Sequence, residues 1–224
     1  DPEPTDPEPT DPEPTPDTSR PPESGSGTKP TPPTQRELAD LGQALQMARA
    51  ALGKGGVQNP ARTAAKKHLK RAATLAKLPQ HKDLVRRLDL LARYVDQFWV
   101  TLDRVLRGFE GGEELQYKDS IILVRERPTD ELKIRYKGLN LSHRLTQLPP
   151  GIVNAIANHG FDESQPASQI LKGAFLVVNP TASESMISEA RRGWEEAAKA
   201  GVEIGDLPKV IDDDYQLEPS GQDE

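Results

Sequence analysis

The 224-residue chain contains no cysteine. Disulfide bonds and thiolate nucleophiles are therefore excluded, because both need a cysteine sulfur. The chain also has no run of about 18 apolar residues, the length that a membrane-spanning helix requires. Aromatic residues make up only 4% of it. These absences exclude thiol chemistry and a transmembrane helix, and they leave a charged protein with few aromatic side chains.

The first 34 residues lack every large apolar side chain and also alanine. Residues 1–15 are three copies of Asp-Pro-Glu-Pro-Thr, and the proline-rich stretch continues to Thr34. Such a segment cannot bury enough apolar surface to offset the entropy of ordering it. We therefore expect residues 1–33 to be a disordered spacer, which in polyproline II form would reach about 100 Å.

The beginning of the chain bears on where the protein is located. An acidic, low-complexity segment follows a start at Asp1 that has no methionine. This arrangement favours an exported protein, periplasmic or at the cell surface, from which a signal peptide has been removed. A cytoplasmic location is the alternative, and the absence of cysteine agrees with both.

Charge is distributed unevenly along the chain. Residues 1–34 carry a net charge of −6, residues 54–93 carry +9 and residues 179–224 carry −8. The overall value of −6 therefore conceals a basic segment between two acidic ends. Such asymmetry points to binding and electrostatic attraction rather than to a particular reaction.

Three helices are predicted over residues 34–108. Thr34-Gln-Arg-Glu37 is a capping box that opens a helix ending near Leu52. Asn59-Pro60 opens a second helix, which Pro79 ends. A third follows the apolar spacing of Leu84, Leu88, Leu91, Val95, Phe98, Leu102 and Val105, with Phe98 and Trp99 in the core. Helices with such short breaks predict a three-helix antiparallel bundle.

The pattern changes to strands at Glu113. Alternating apolar and polar residues predict a small antiparallel β-meander of three or four strands up to about residue 147. The apolar segment Pro166–Val178 is expected to be a helix covering this sheet, and Thr181–Glu184 to be a second capping box. The predicted fold class is thus α+β and mainly helical. We expect the meander and helices of residues 113–211 either to form one unit with the bundle or to fold as a separate unit. Residues 212–224 are expected to be a disordered acidic tail.

No motif predicts catalysis, a cofactor or a metal. The histidines lack the spacing of a zinc site, and each is expected to be at the surface or locally bonded: His68, His81, His143 and His159. Asp212-Asp213-Asp214 does not continue into a calcium loop, since the sixth position is Leu217. An enzyme with carboxylates dispersed along the sequence remains an open alternative, but the chain is predicted not to be an enzyme.

The basic segment supplies the candidate site. Its cations fall on one face of the second helix and along the third, and the candidate anion-binding residues are Arg62, Lys66, Lys67, Lys70, Arg71, Lys77, Lys82, Arg86 and Arg87. Three interpretations are open: a solvated face, contact with the protein's own acidic ends, or an external polyanion.

The leading hypothesis is a non-enzymatic interaction or scaffold protein, in which the spacer separates the folded part from an anchor or a partner. The partner is expected to be another protein. The alternative is binding of nucleic acid or another polyanion through the basic face of residues 62–93, with affinity that falls steeply as salt rises.

The acidic ends should compete with any external polyanion for the basic face. Screening beyond about 8 Å at physiological salt should make this attraction non-specific rather than a fixed contact. Removal of residues 1–33 and 212–224 is therefore expected to raise the affinity for heparin, most strongly at low salt. If the full-length and the truncated chain elute from heparin at the same ionic strength, this expectation is contradicted.

Overall fold

The computed structural model describes residues 32–54, 56–57 and 59–217. The predicted disorder of residues 1–31 and 218–224 lies outside the described residues. The described part is α+β and mainly helical, which confirms the predicted class. Its helices are α1 (Gln35–Leu52), α2 (Ala61–Leu75), α3 (Pro79–Gly108), α4 (Pro150–Gly160), α5 (Pro166–Val178) and α6 (Glu184–Lys199). Its strands are β1 (Glu114–Tyr117), β2 (Ser120–Val124), β3 (Glu131–Tyr136) and β4 (Leu139–Arg144). Short 3₁₀ turns lie at Leu145–Gln147 and Leu207–Ile211.

α1 begins where its capping box predicts, whereas α2 begins at Ala61 with Pro60 as its N-cap instead of the predicted Asn59. Thr34 Oγ1 accepts a hydrogen bond from the Glu37 amide at 3.3 Å, and Glu37 Oε2 accepts one from the Thr34 amide at 2.9 Å. The predicted capping box and the helix it opens are therefore confirmed. The third helix starts earlier than its apolar stripe suggests, because Pro79 occupies its first turn instead of ending a helix.

α3 is the helix around which the core is assembled. It contacts α1 and α2 on one side and α4 and α5 on the other. Phe98 and Trp99 are buried in its middle, as predicted. Phe98 stacks on Phe175 of α5 with ring centroids 4.6 Å apart, and Trp99 meets the same ring edge-on at 5.8 Å. One continuous cluster of buried residues therefore runs from α1 to the C-terminal helices.

The four strands form one antiparallel sheet in chain order, β1-β2-β3-β4. The alternation predicted for β3 is confirmed, since Leu132 and Ile134 are buried while Lys133 and Arg135 are exposed. β4 pairs only with β3 among the described strands, and its apolar side chains stay largely uncovered. The sheet therefore buries its face mainly through β1, β2 and β3.

The expected cover of the sheet was wrong in one respect. α5 packs chiefly against α6 and α3, whereas α4 is the helix that contacts β1. Every residue of α5 from Ile170 to Val178 is buried. A helix that is apolar on all sides needs neighbours all round it, and only a central position provides them.

The predicted capping box at Thr181–Glu184 was also wrong. α6 starts at Glu184 with Ser183 as its N-cap, and the Ser183 hydroxyl accepts the Met186 amide at 3.3 Å. Thr181 is instead engaged by Asn179, whose Oδ1 accepts both the Thr181 amide and its hydroxyl. The competing turn at Asn179 thus moves the helix start two residues along the chain.

The C-terminal segment stays packed on the core further along the sequence than expected. Asp213 is paired with Arg87, and Tyr215 is buried in the core. The prediction that the disordered tail begins at Asp212 is therefore wrong for residues 212–217. The buried ring of Tyr215 follows the paired Asp213 by two residues, and these two contacts together offset the entropy of ordering this stretch.

Gly173 tests the packing of the C-terminal helices. A Cβ at this position would collide with the indole of Trp194, and that ring is fixed because its Nε1 donates to the Ile170 carbonyl at 3.1 Å. We expect Gly173→Ala to lower the free energy of unfolding by about 1–3 kcal/mol despite the better helix propensity of alanine. Urea denaturation measures this change.

Gly108→Ala is the matched control. Gly108 is the last residue of α3, and a Cβ there meets no atom within 4 Å. This variant should be neutral or gain up to about 1 kcal/mol. Equal stability of the two variants would show that Trp194 yields to the added methyl group.

Candidate functional site at the groove between α2 and α3

The amphipathic character of α2 presents the candidate cations to solvent. Leu69 and Ala72 are buried against the core, so the lysines on the opposite side of the helix point outwards. Lys66, Lys67 and Lys70 are all exposed. This arrangement agrees with the orientation that the apolar spacing predicted.

Four of the candidate cations pair with carboxylates of neighbouring helices. The pairs are Arg62–Asp96 at 4.0 Å, Lys66–Asp96 at 2.6 Å, Arg71–Asp40 at 3.1 Å and Lys77–Glu37 at 2.6 Å. The hydrogen bond from Lys77 lowers the pKa of the Glu37 carboxyl. Pairs as exposed as these contribute little to stability and are weakened by salt. They nevertheless reduce the positive charge that an external ligand would meet.

Arg86 and Arg87 are held by the C-terminal part of the chain. The Arg87 guanidinium donates two hydrogen bonds to Asp213, Nε to Oδ2 at 2.8 Å and Nη2 to Oδ1 at 2.5 Å. The side chains of Arg87 and Asp213 are only 14% and 7% exposed. This hydrogen-bonded contact with Asp213 raises the pKa of Arg87. Arg86 pairs with Asp206 at 2.9 Å but remains 64% exposed.

The contact between Arg87 and Asp213 corrects the expectation of a purely non-specific attraction to the acidic tail. A bidentate pair of this burial has one fixed geometry. It also sharpens the heparin experiment, because truncation at residue 212 would remove the partner of Arg87. Truncation after Leu217 leaves the pair intact and removes only the acidic residues beyond it.

The remaining three candidates make no ion pair in the part of the chain that the structure describes. They are Lys67, Lys70 and Lys82, and all are exposed. Lys70 and Lys82 line one groove between α2 and α3, whereas Lys67 lies outside it. The structure thus separates the predicted set into neutralised cations and a small group that is still unpaired.

The groove between α2 and α3 has a volume of about 490 Å³. Its floor is apolar and consists of Leu69, Ala73, Ala76 and Val85. Its rim carries Lys66, Lys70, Lys82 and Arg86. Among the described residues that line it, Asp89 is the one acidic residue, and Arg93 already binds that carboxylate at 2.6 Å. The floor and the rim together suit a ligand that is both apolar and negatively charged.

Sequence reasoning found the rim but missed the floor. Ala73 and Val85 lie at the margins of the apolar stripes of α2 and α3, where a helix on its own would expose them. They become one surface only because the two helices pack side by side. The signal available beforehand was the width of the stripe on α3, where Val85 flanks Leu84 and Leu88.

The described part of the chain contains neither a cluster of metal ligands nor a membrane-spanning helix. No group of three or more His, Asp or Glu side chains there could hold a metal ion. Its helices include none that is long and apolar enough to cross a bilayer. The expectation of a surface or locally bonded histidine is wrong for His81. The ring is buried, its Nδ1 has no hydrogen-bond partner among the described residues, and burial lowers its pKa.

Comparison with known proteins identifies no relative. No protein-family model, curated protein or solved structure matches the chain. The interpretation of the groove therefore depends on its geometry and chemistry alone.

Arg87 and Arg86 form a matched pair for testing the C-terminal contact. We expect Arg87→Met to lower the free energy of unfolding by about 2–3 kcal/mol, because it leaves the Asp213 carboxylate buried without its partner. Arg86→Met should cost less than about 1 kcal/mol, since its pairs are exposed. Urea unfolding of both variants measures the difference, and equal losses would contradict the assignment of Asp213 to a buried pair.

Proposed function

We propose that the protein is a non-enzymatic interaction protein whose α2–α3 groove binds an acidic, amphipathic helical segment of a partner protein. The observation that carries this proposal is the apolar floor enclosed by a cationic rim on which Lys70 and Lys82 have no carboxylate partner among the described residues. An amphipathic helix places its apolar stripe in such a groove and its flanking carboxylates against the rim. The burial supplies affinity, and the charges supply specificity and speed of association.

Nucleic acid or another polyanion is the second candidate. The net charge of +9 over residues 54–93 supports it. However, six of the nine candidate cations already have carboxylate partners. A phosphate backbone would also gain nothing from the apolar floor, because its affinity comes from counterion release. The groove therefore favours a protein ligand over a polyanion.

The proposal assigns roles to the three N-terminal helices and to the proline-rich segment. The three N-terminal helices act as an antiparallel bundle that keeps the groove rigid, and the proline-rich segment acts as a spacer between the folded part and an anchor or partner. An exported location remains part of the proposal. A polar, proline-rich composition suits a binding module that is held away from a surface.

Lysine substitutions on α2 and α3 test the groove directly. The probe is a fluorescently labelled helical peptide with leucines on one face and glutamates on both flanks, titrated with the full chain and followed by anisotropy. We expect Lys70→Glu combined with Lys82→Glu to weaken binding by about tenfold or more, since both replace attraction by repulsion at the rim. Lys67→Glu is the matched control and should change affinity less than about twofold, because Lys67 is exposed on the same helix outside the groove.

Two further probes separate the candidates. A peptide of the same composition with its leucines dispersed around the helix should bind weakly to the groove. Heparin should bind with similar affinity to the Lys67→Glu and Lys70→Glu single variants. Equal binding of both peptides, or equal effects of the groove and control substitutions on the amphipathic peptide, would overturn the proposal in favour of non-specific charge attraction.

A further inference from the structure

A second cavity lies on a different part of the molecule, where the β1–β2 turn meets α4 and the connection between α5 and α6. Its volume is about 410 Å³, within the range of small-molecule sites. Its polar lining is almost entirely uncharged, and Lys118 is the only charged residue among the described residues that line it. The uncharged polar side chains are Gln116, Tyr117, Asn154, Asn158, Asn179 and Thr181.

Asn179 presents a fixed hydrogen-bond donor to this cavity. The residue is only 7% exposed, and its Oδ1 accepts the Thr181 amide at 3.0 Å and the Thr181 hydroxyl at 2.9 Å. A backbone N–H can only donate, so the oxygen of the side-chain amide must face Thr181. Nδ2 therefore faces the other way and makes no hydrogen bond to the described residues. Nδ2 is not among the fully buried atoms, so it stays accessible and free to donate to a ligand in the cavity that Asn179 lines.

Two more carboxamides reach the cavity from α4. Asn154 and Asn158 are four residues apart on the helix, so they lie on the same face. Neither side chain makes a hydrogen bond within the part of the chain that the structure describes. Asparagine is a poor helix former, and these two weaken the helix without a compensating hydrogen bond to any described residue, while the half-buried Asn154 and the exposed Asn158 stay accessible to a ligand.

Strand β1 adds an aromatic ring to the cavity. Gln116, at the edge of the lining, is exposed on the other face of the strand, and its Nε2 donates to the Lys118 carbonyl at 2.6 Å. The Tyr117 ring packs against Gly151, where an added Cβ would lie 2.6 Å from Cε2 and 2.7 Å from the hydroxyl. Glycine at this position lets the ring and its hydroxyl come up to the first turn of α4.

We propose that this cavity binds a small neutral saccharide. A sugar hydroxyl both donates and accepts, and the carboxamides supply donors and acceptors in comparable number. No arginine lines the cavity among the described residues, so it lacks the guanidinium that clamps carboxylates and phosphates. Nor do two carboxylates face one another there, as glycoside hydrolysis requires. The chemistry is therefore recognition of the sugar rather than cleavage, and it is independent of the groove between α2 and α3.

Titration of the full chain with named sugars tests this proposal. The probes are glucose, galactose, mannose, xylose, N-acetylglucosamine, maltose and cellobiose, with acetate and inorganic phosphate as the anionic comparison. The readout is the side-chain amide resonances of the asparagines and Gln116 in ¹H–¹⁵N correlation spectra. We expect at least one sugar to shift the resonances of Asn154, Asn158 and Asn179, and neither anion to do so.

The double variant Asn154→Ala with Asn158→Ala removes the ligand contacts while improving the helix. We expect it to weaken sugar binding by about tenfold or more and to melt at the same or a higher temperature, because alanine is the better helix former. A loss of binding therefore cannot result from unfolding. Asn140→Ala, on the exposed strand β4, is the matched control and should bind as the parent does.

Three results would overturn the proposal. The first is that none of the sugars shifts the cavity resonances. The second is that only acetate or phosphate shifts them, which would assign the cavity to an anion held near Lys118. The third is that the double variant on α4 and the Asn140→Ala control bind sugar equally well, which would place the binding elsewhere on the protein.

Discussion

The stacking of Phe98 on Phe175 is the contact on which the rest of the molecule depends. Their ring centroids are 4.6 Å apart, and Trp99 and Phe161 close around them. Phe98 belongs to α3 and Phe175 to α5, so this cluster joins the N-terminal helices to the C-terminal ones. With so few aromatic residues in the chain, four of them meeting at one point concentrate much of the buried area there. Both candidate sites lie on elements that α3 holds in place.

Charges that are far apart in the sequence meet in the fold. The basic segment contributes Arg86 and Arg87, and the acidic C-terminal region contributes Asp206 and Asp213. Of these two pairs, that of Arg87 and Asp213 is largely buried and is joined by two hydrogen bonds, whereas that of Arg86 and Asp206 has one and is more exposed. Two cations of the basic segment are therefore neutralised within the fold, whereas Lys70 and Lys82 line the groove between α2 and α3 without a carboxylate partner among the described residues.

The two candidate sites differ in chemistry because of what surrounds them. The groove combines an apolar floor with lysines and an arginine, which suits an extended surface of a partner. The cavity beside α4 has carboxamides and hydroxyls with a single lysine, which suits a compact polar molecule.

The sequence by itself determined the features that depend on neighbouring residues. The Thr34 capping box, the apolar stripe of α3 and the alternation of β3 all follow from periodicities of three to four residues or of two. The tertiary structure decided which side chains meet. The engagement of Thr181 by Asn179, the central position of α5, the burial of Tyr215 and the joining of Ala73 and Val85 into one floor each require elements to be placed against one another. Such contacts depend on how helices cross and how loops close. The spacing of residues along the sequence encodes neither the crossing angle of two helices nor the path of a loop.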